Sequence, residues 1–134
     1  MQQADGTVQS KVEIVRKLQQ HGYYVALIFV GLASAELSIL RVASRKQKGG
    51  HDVPIDKLRA RFPRTQQAIR MASTVADLTL MFDNSRDEKH AFTLARAQQE
   101  ETVIYDCRDS AFRQDADLVT IARLWLDIVA PQSG

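Results

Sequence analysis

Hydrophobic positions change period several times along the chain, and each change marks an element. From Val8 to Gln20, Val12, Val15 and Leu18 recur at helical spacing with charged residues between them, and His21-Gly22 supplies a stop. Tyr23 to Val30 is continuous, aromatic and β-branched, the pattern of a strand buried on both faces of a parallel sheet. Ser34 is placed to cap a helix from about Ala35 to Lys48, with Glu36 in its first turn and Gly49-Gly50 closing it. Ala35, Ile39, Val42 and Ala43 fall on one side of that helix, and Arg41, Arg45 and Lys48 on the other. Pro54 suits the first turn of a second basic helix, and Pro63 predicts a break near Phe62 with a further helix to about Val75. Leu78 to Phe82 reads as a short strand that delivers Asp83 and Asn84 to a sheet edge. Phe92 to Ala97 and Thr102 to Tyr105, separated by QQEE, predict a hairpin, and Leu118 to Val129 a closing amphipathic helix with Trp125 on its apolar side. A helix followed closely by a buried strand belongs to an α/β layer fold. Without repeats or low-complexity linkers, residues 1–134 form one domain, with basic helices over about 35–75 and the C-terminal strands and helix over about 77–130.

Composition narrows the class. The chain has 134 residues, 45% hydrophobic and 25% charged, which suits one globular core and excludes disordered and collagen-like chains. The longest strongly apolar run, Tyr23 to Leu32, is about half of the roughly 20 residues that a membrane-spanning helix needs. The N-terminal residues MQQADGTVQSKVE have no apolar core and no small-residue cleavage site, so no secretory signal is read and a cytoplasmic location is expected. Cys107 has no second cysteine to pair with and reads as structural.

Net charge is only +2, but its distribution is uneven. From Arg41 to Arg70 nine Lys or Arg stand against Asp52 and Asp56, so that stretch carries +7 and the remainder of the chain −5. An asymmetry of this kind suggests an anionic partner. Arginine suits phosphate because its planar fork donates two parallel hydrogen bonds and its charge does not titrate away. Arg41 and Arg45 lie one turn apart, Lys57, Arg61 and Arg64 share the spacing of one face of the next helix, and the glycine pair between the helices allows them to fold together as a hinged lid. The bland alternative is a pair of solvated helix faces. His51 either contacts phosphate or ribose or caps the glycine turn.

Other constellations are weaker. His21, His51 and His90 are scattered without metal-ligand spacing, and the acidic stretch Asp106, Asp109, Asp115 and Asp117 lacks the spacing of a calcium loop, so no metal site is assigned. No G-x-S-x-G run places a nucleophile on a turn. No catalytic residue is assigned. Nucleic-acid binding is disfavoured, because Phe62 is the one aromatic side chain among the basic helices available for base stacking.

The run GLASAELSILRVASRKQKGGHDVP, continued by RARFPRTQQAI and ADLTLMFDNS, resembles the C-terminal half of the zeta-toxin-like P-loop kinases, the group also called predicted ABC-type ATPases. The likeness covers roughly Lys11 to Asp106. It implies a doubly wound parallel sheet, a helical lid hairpin and ATP- and magnesium-dependent phosphorylation of a small molecule, a nucleotide sugar in the best-known toxins. It also implies that Arg41 or Arg45, together with Arg61 or Arg64, neutralises the transferring phosphate. His51, Asp83 and Asn84 join them as candidate phosphate- or nucleotide-binding residues.

Such kinases also need a G-x-x-x-x-G-K-[ST] loop and an Asp that activates the acceptor hydroxyl. Neither is found in these 134 residues. The expectation is therefore a partial P-loop-kinase-like sheet, a remnant or one half of a two-chain arrangement, with weak affinity for nucleotide or nucleotide sugar and no turnover of ATP alone. A half-sheet would expose a strand edge, so the competing expectation is an interaction domain that forms homo-oligomers or complements a protein partner.

Overall fold

In the computed structural model, residues 6–47, 54–109, 111 and 115–132 are described. The elements run α1 (Gly6–Gln20), β1 (Ala26–Gly31), α2 (Ala35–Gln47), α3 (Ile55–Ala72), β2 (Leu78–Asp83), a short 3₁₀ turn (Glu88–His90), β3 (Thr93–Gln99), β4 (Thr102–Asp106) and α4 (Ala116–Val129). The four strands form one sheet in the order β1-β2-β3-β4. β1 and β2 are parallel, while β2-β3 and β3-β4 are antiparallel. The fold is α/β, as the pattern predicts.

Local chemistry explains the boundaries. Gly22, at φ +89°, ends α1: its N–H reaches Gln19 O at 3.0 Å and the Tyr23 N–H reaches back to Leu18 O at 3.0 Å. Ser34 does cap α2, its Oγ accepting from Leu37 N at 3.1 Å. Asp115 caps α4 by accepting from Asp117 N and Leu118 N, and these backbone N–H groups, with Arg86, hold its carboxyl below the usual carboxylate range. Asp77 ties the start of β1 to the start of β2: its carboxylate accepts from Val25 N at 2.8 Å and from Gln19 Nε2 at 3.1 Å. Both bonds favour the ionised form, so its pKa lies below the usual value.

Three expectations need correcting. α3 runs unbroken through Pro63 to Ala72 rather than stopping near Phe62. A proline removes one N–H and crowds the carbonyl four residues earlier, a local loss here offset by burial of Ala68, Ile69 and Ala72 further along the same helix. β1 is the second case. It begins only at Ala26 and alternates in exposure, with Ile28 61% and Val30 39% exposed, so it is half-buried rather than covered on both faces. The wholly parallel sheet implied by the resemblance is likewise a mixed one, because the terminal hairpin adds β3 and β4 antiparallel.

The core lies between one sheet face and the helices. Ile69 of α3 and Leu118, Ala122, Trp125, Leu126 and Val129 of α4 meet Met81, Ala95 and Cys107, with Leu27 and Phe29 packed alongside. Trp125 sits edge-on to Phe29, ring centroids 5.6 Å apart, and its indole Nε1 donates to Asp83 Oδ1 at 2.7 Å. Gly31 lies directly beneath that indole, where a Cβ would overlap the ring. Cys107 is fully buried, and burial pushes its thiol up to about 11. At the far side of the sheet, Arg108 donates from Nε and Nη2 to Asp106 and from Nη1 to Asp127 at 2.7 Å, and Nη2 also reaches Ala130 O at 2.8 Å. Arg96 Nη1 adds a second cation to Asp106. Burial alone would raise the Asp106 pKa, but the Arg108 and Arg96 hydrogen bonds outweigh it and leave the carboxyl below its ordinary range.

Candidate functional site

α2 follows the C-terminal end of β1, and α3 packs against it. Between them and the β1 tip lies a cavity of about 280 Å³. α2 presents Ser38, Val42 and Arg45 at i, i+4 and i+7. α3 presents Leu58, Arg61, Phe62, Thr65 and Gln66, one stripe of the helix. Phe29, Val30 and Leu32 complete the wall. The cavity thus has an apolar body, Arg45 and Arg61 contributed from two helices, and both arginines exposed to solvent at its margin.

The structure separates the candidates. Arg45 and Arg61 come together. Arg41 instead turns toward β2, its Nη2 donating to Arg86 O at 3.4 Å. Arg64 lines a neighbouring hollow of about 310 Å³ with Asp56, Lys57, Ala60 and Arg61, so Arg61 borders both spaces. Asp83 is fully buried at the end of β2, its carboxylate accepting from Trp125 Nε1, from Ser85 Oγ at 2.7 Å and from Ser85 N at 3.1 Å. Asn84 donates its N–H to Gly31 O and accepts from Phe92 N on Oδ1. Neither lines the arginine cavity. His51 and Gly49-Gly50 lie outside the described residues.

Helix α2 is steadied against α3 by Glu36, whose carboxylate meets Arg59 Nε and Nη2 at 3.1 Å. This pair is solvent-exposed and sets an orientation more than it stabilises. Gln66 went unpredicted as a site residue. Its signal is in the sequence: a polar residue four positions after Phe62, on the stripe that otherwise faces inward.

The profile of the zeta toxin family matches residues 4–110, which include both arginine helices, β1, β2 and the hairpin. The chain belongs to the zeta toxin family. No curated protein and no solved structure matched it. Zeta-toxin membership accords with a kinase-like, nucleotide-binding fold, and the arginine cavity lies wholly within the matched segment. Magnesium is part of what the resemblance implies, yet among the described residues no three His, Cys, Asp or Glu side chains gather where they could hold a metal ion. Asp83, the buried acid at the end of β2, is already taken up by Trp125 and Ser85. The chemistry of the arginines suits phosphate. Among these residues no helix is long and apolar enough to cross a membrane.

Proposed function

We propose that this zeta-toxin-family chain holds the phosphate of a nucleotide or nucleotide sugar between α2 and α3, with Arg45 and Arg61 as the anion-binding pair. The observation that carries this function is the convergence of two arginines from separate helices on one cavity with apolar walls. A guanidinium from each side donates to different phosphate oxygens, and the apolar lining takes the uncharged part of the ligand. Arg64 and Lys57, in the adjoining hollow, extend the positive field that draws an anion in. The 134 residues contain no G-x-x-x-x-G-K-[ST] run, and positioning of the γ-phosphate supplies nearly all of phosphoryl-transfer catalysis, so on their own they bind phosphate without transferring it.

Titration with ATP and with nucleotide sugars, followed by calorimetry or NMR, tests the assignment. Arg45→Ala and Arg61→Ala should each weaken binding by roughly 10- to 100-fold, since a hydrogen bond to a charged group contributes about 1.5–3 kcal/mol. Arg70→Ala, on the same helix but outside the cavity lining, should leave affinity unchanged. Absence of any perturbation at millimolar ligand removes phosphate binding as the function.

A second function, self-association, is favoured by the edge of β1, which pairs with no strand but β2 among the described residues. Val25 O and Gly31 O accept from Leu78 N and Asn84 N of the β2 side, so the alternate residues Ala26, Ile28 and Val30 direct their backbone groups outward. That edge carries no charge or proline to blunt it. Two copies related by a two-fold axis at Ile28 would pair β1 with β1 antiparallel, matching Ala26 with Val30. Light scattering on a size-exclusion column should show a dimer that Ile28→Lys converts to monomer; a wild-type monomer at high micromolar concentration excludes it.

A further inference from the structure

The strand registers sort the side chains of the sheet onto two faces. Leu27, Phe29 and Gly31 of β1 stand beside Thr79, Met81 and Asp83 of β2, and this is the face that α3 and α4 cover. The opposite face carries three cross-strand rows: Ala26, Leu78 and Gln99; Ile28, Leu80 and Ala97; Val30, Phe82 and Leu94. All of these residues except Gln99 are apolar, and none is charged. Among the described residues, none of the apolar ones belongs to the core cluster or packs against it. Ile28 and Val30, on the edge strand, are the most open to solvent, at 61% and 39%. Strands lie about 4.8 Å apart and rise about 3.4 Å per residue, so the three rows present a face of roughly 250 Å².

We infer that this open face stacks on the same face of other copies once the β1 edges have paired, so that two β1-linked dimers close into a tetramer. The inference rests on the β1 self-association proposed above and adds a second interface that the first one creates. In an antiparallel strand pair the two-fold axis through Ile28 stands perpendicular to the sheet. It therefore leaves both open faces on one side and α3 and α4 of both copies on the other. Ile28 meets its own copy at the centre, and the apolar rows run on from one sheet into the next. The face doubles to roughly 500 Å², and stacking two doubled faces removes roughly 1,000 Å² from water, at the low end for a specific interface. Two unpaired copies stacking alone would bury about half as much, the size of an adventitious contact. Area thus sets the order, with edges pairing first and faces second. A surface without charge offers nothing to an acidic or basic partner, whereas an identical face matches it in chemistry. Sheets packed in this way lie about 10 Å apart with their strands about 30° from parallel, and the closed assembly has D2 symmetry.

Light scattering on the full 134-residue chain over a dilution series tests the stacking. Wild type should be a dimer at low micromolar concentration and a tetramer at high micromolar concentration. Leu80→Lys and Leu94→Lys each place a charge on the open face away from β1, and both should stop at the dimer, because burying an unpaired charge is unfavourable. Ile28→Lys should lose both steps. Neither Leu80 nor Leu94 belongs to the core cluster, and thermal unfolding of each variant near the wild-type temperature verifies that it is folded. In wild type alone, the fluorescence per chain of a dye that binds exposed apolar surface should fall as the tetramer forms. A wild type that stays a dimer, a tetramer that persists in Leu80→Lys and Leu94→Lys, or a dye signal that does not fall overturns the stacking while β1 pairing stands. A wild-type monomer at high micromolar concentration overturns both.

Discussion

Arg108→Ala should destabilise the protein by about 3–5 kcal/mol, the loss expected when one member of a buried ion cluster is removed and its partner stays buried. Arg108 has no exposed side-chain surface and Asp106 is 4% exposed, so water cannot replace the missing guanidinium. The same side chain also holds Asp127 and the Ala130 carbonyl, which join β4 to the end of α4. Arg96 remains beside Asp106, but it satisfies only part of the carboxylate. Urea denaturation of Arg108→Ala, with Arg123→Ala as control, measures the effect. Arg123 meets Asp127 at 3.8 Å with both side chains about half exposed, and its loss should cost under about 1 kcal/mol. Equal midpoints for the two variants would show that the cluster does not hold α4.

Gly31→Ala should cost about 3 kcal/mol, the upper part of the range for overpacking a filled core. Space, not backbone freedom, demands glycine here: the added methyl meets the Trp125 indole, and that ring is held by Asp83 at one end and faces Phe29 at the other. Trp125→Phe alone leaves Asp83 short of a donor and is destabilising in its own right. Combined with Gly31→Ala, the smaller ring makes room for the methyl, so the double variant should lose less than the sum of the two single ones. Strict additivity in thermal or urea unfolding would rule out a direct clash.

Much of the fold is legible in the sequence because it is written locally. The Ser34 cap, the Gly22 stop, the hairpin around Glu100-Glu101 and the amphipathic α4 depend on residues within a turn or two of each other. The misreadings come from long-range terms. Continuity through Pro63 depends on what α3 packs against after that residue. The apolar run Tyr23 to Val30 looks the same whether one or both faces are covered, and only the placement of the other elements decides that. The candidate site divides in the same way. Helical spacing identifies Arg45 and Arg61 as members of adjacent pairs, but which member of each pair faces the cavity depends on how α2 rotates against α3. The sequence places Asp83 at a sheet edge, and no local signal announces Trp125, 42 residues later, as its partner.

The sealed thiol of Cys107 turns the molecule into its own clock. It is the single cysteine of the chain, it sits under α4, and burial keeps it protonated at neutral pH. A thiol reagent can therefore reach it only when α4 lifts from the sheet, so the labelling rate counts those openings one molecule at a time. Arg108 and Trp125 fasten α4 at two different points, and the rates in their variants would report which fastening lets go first.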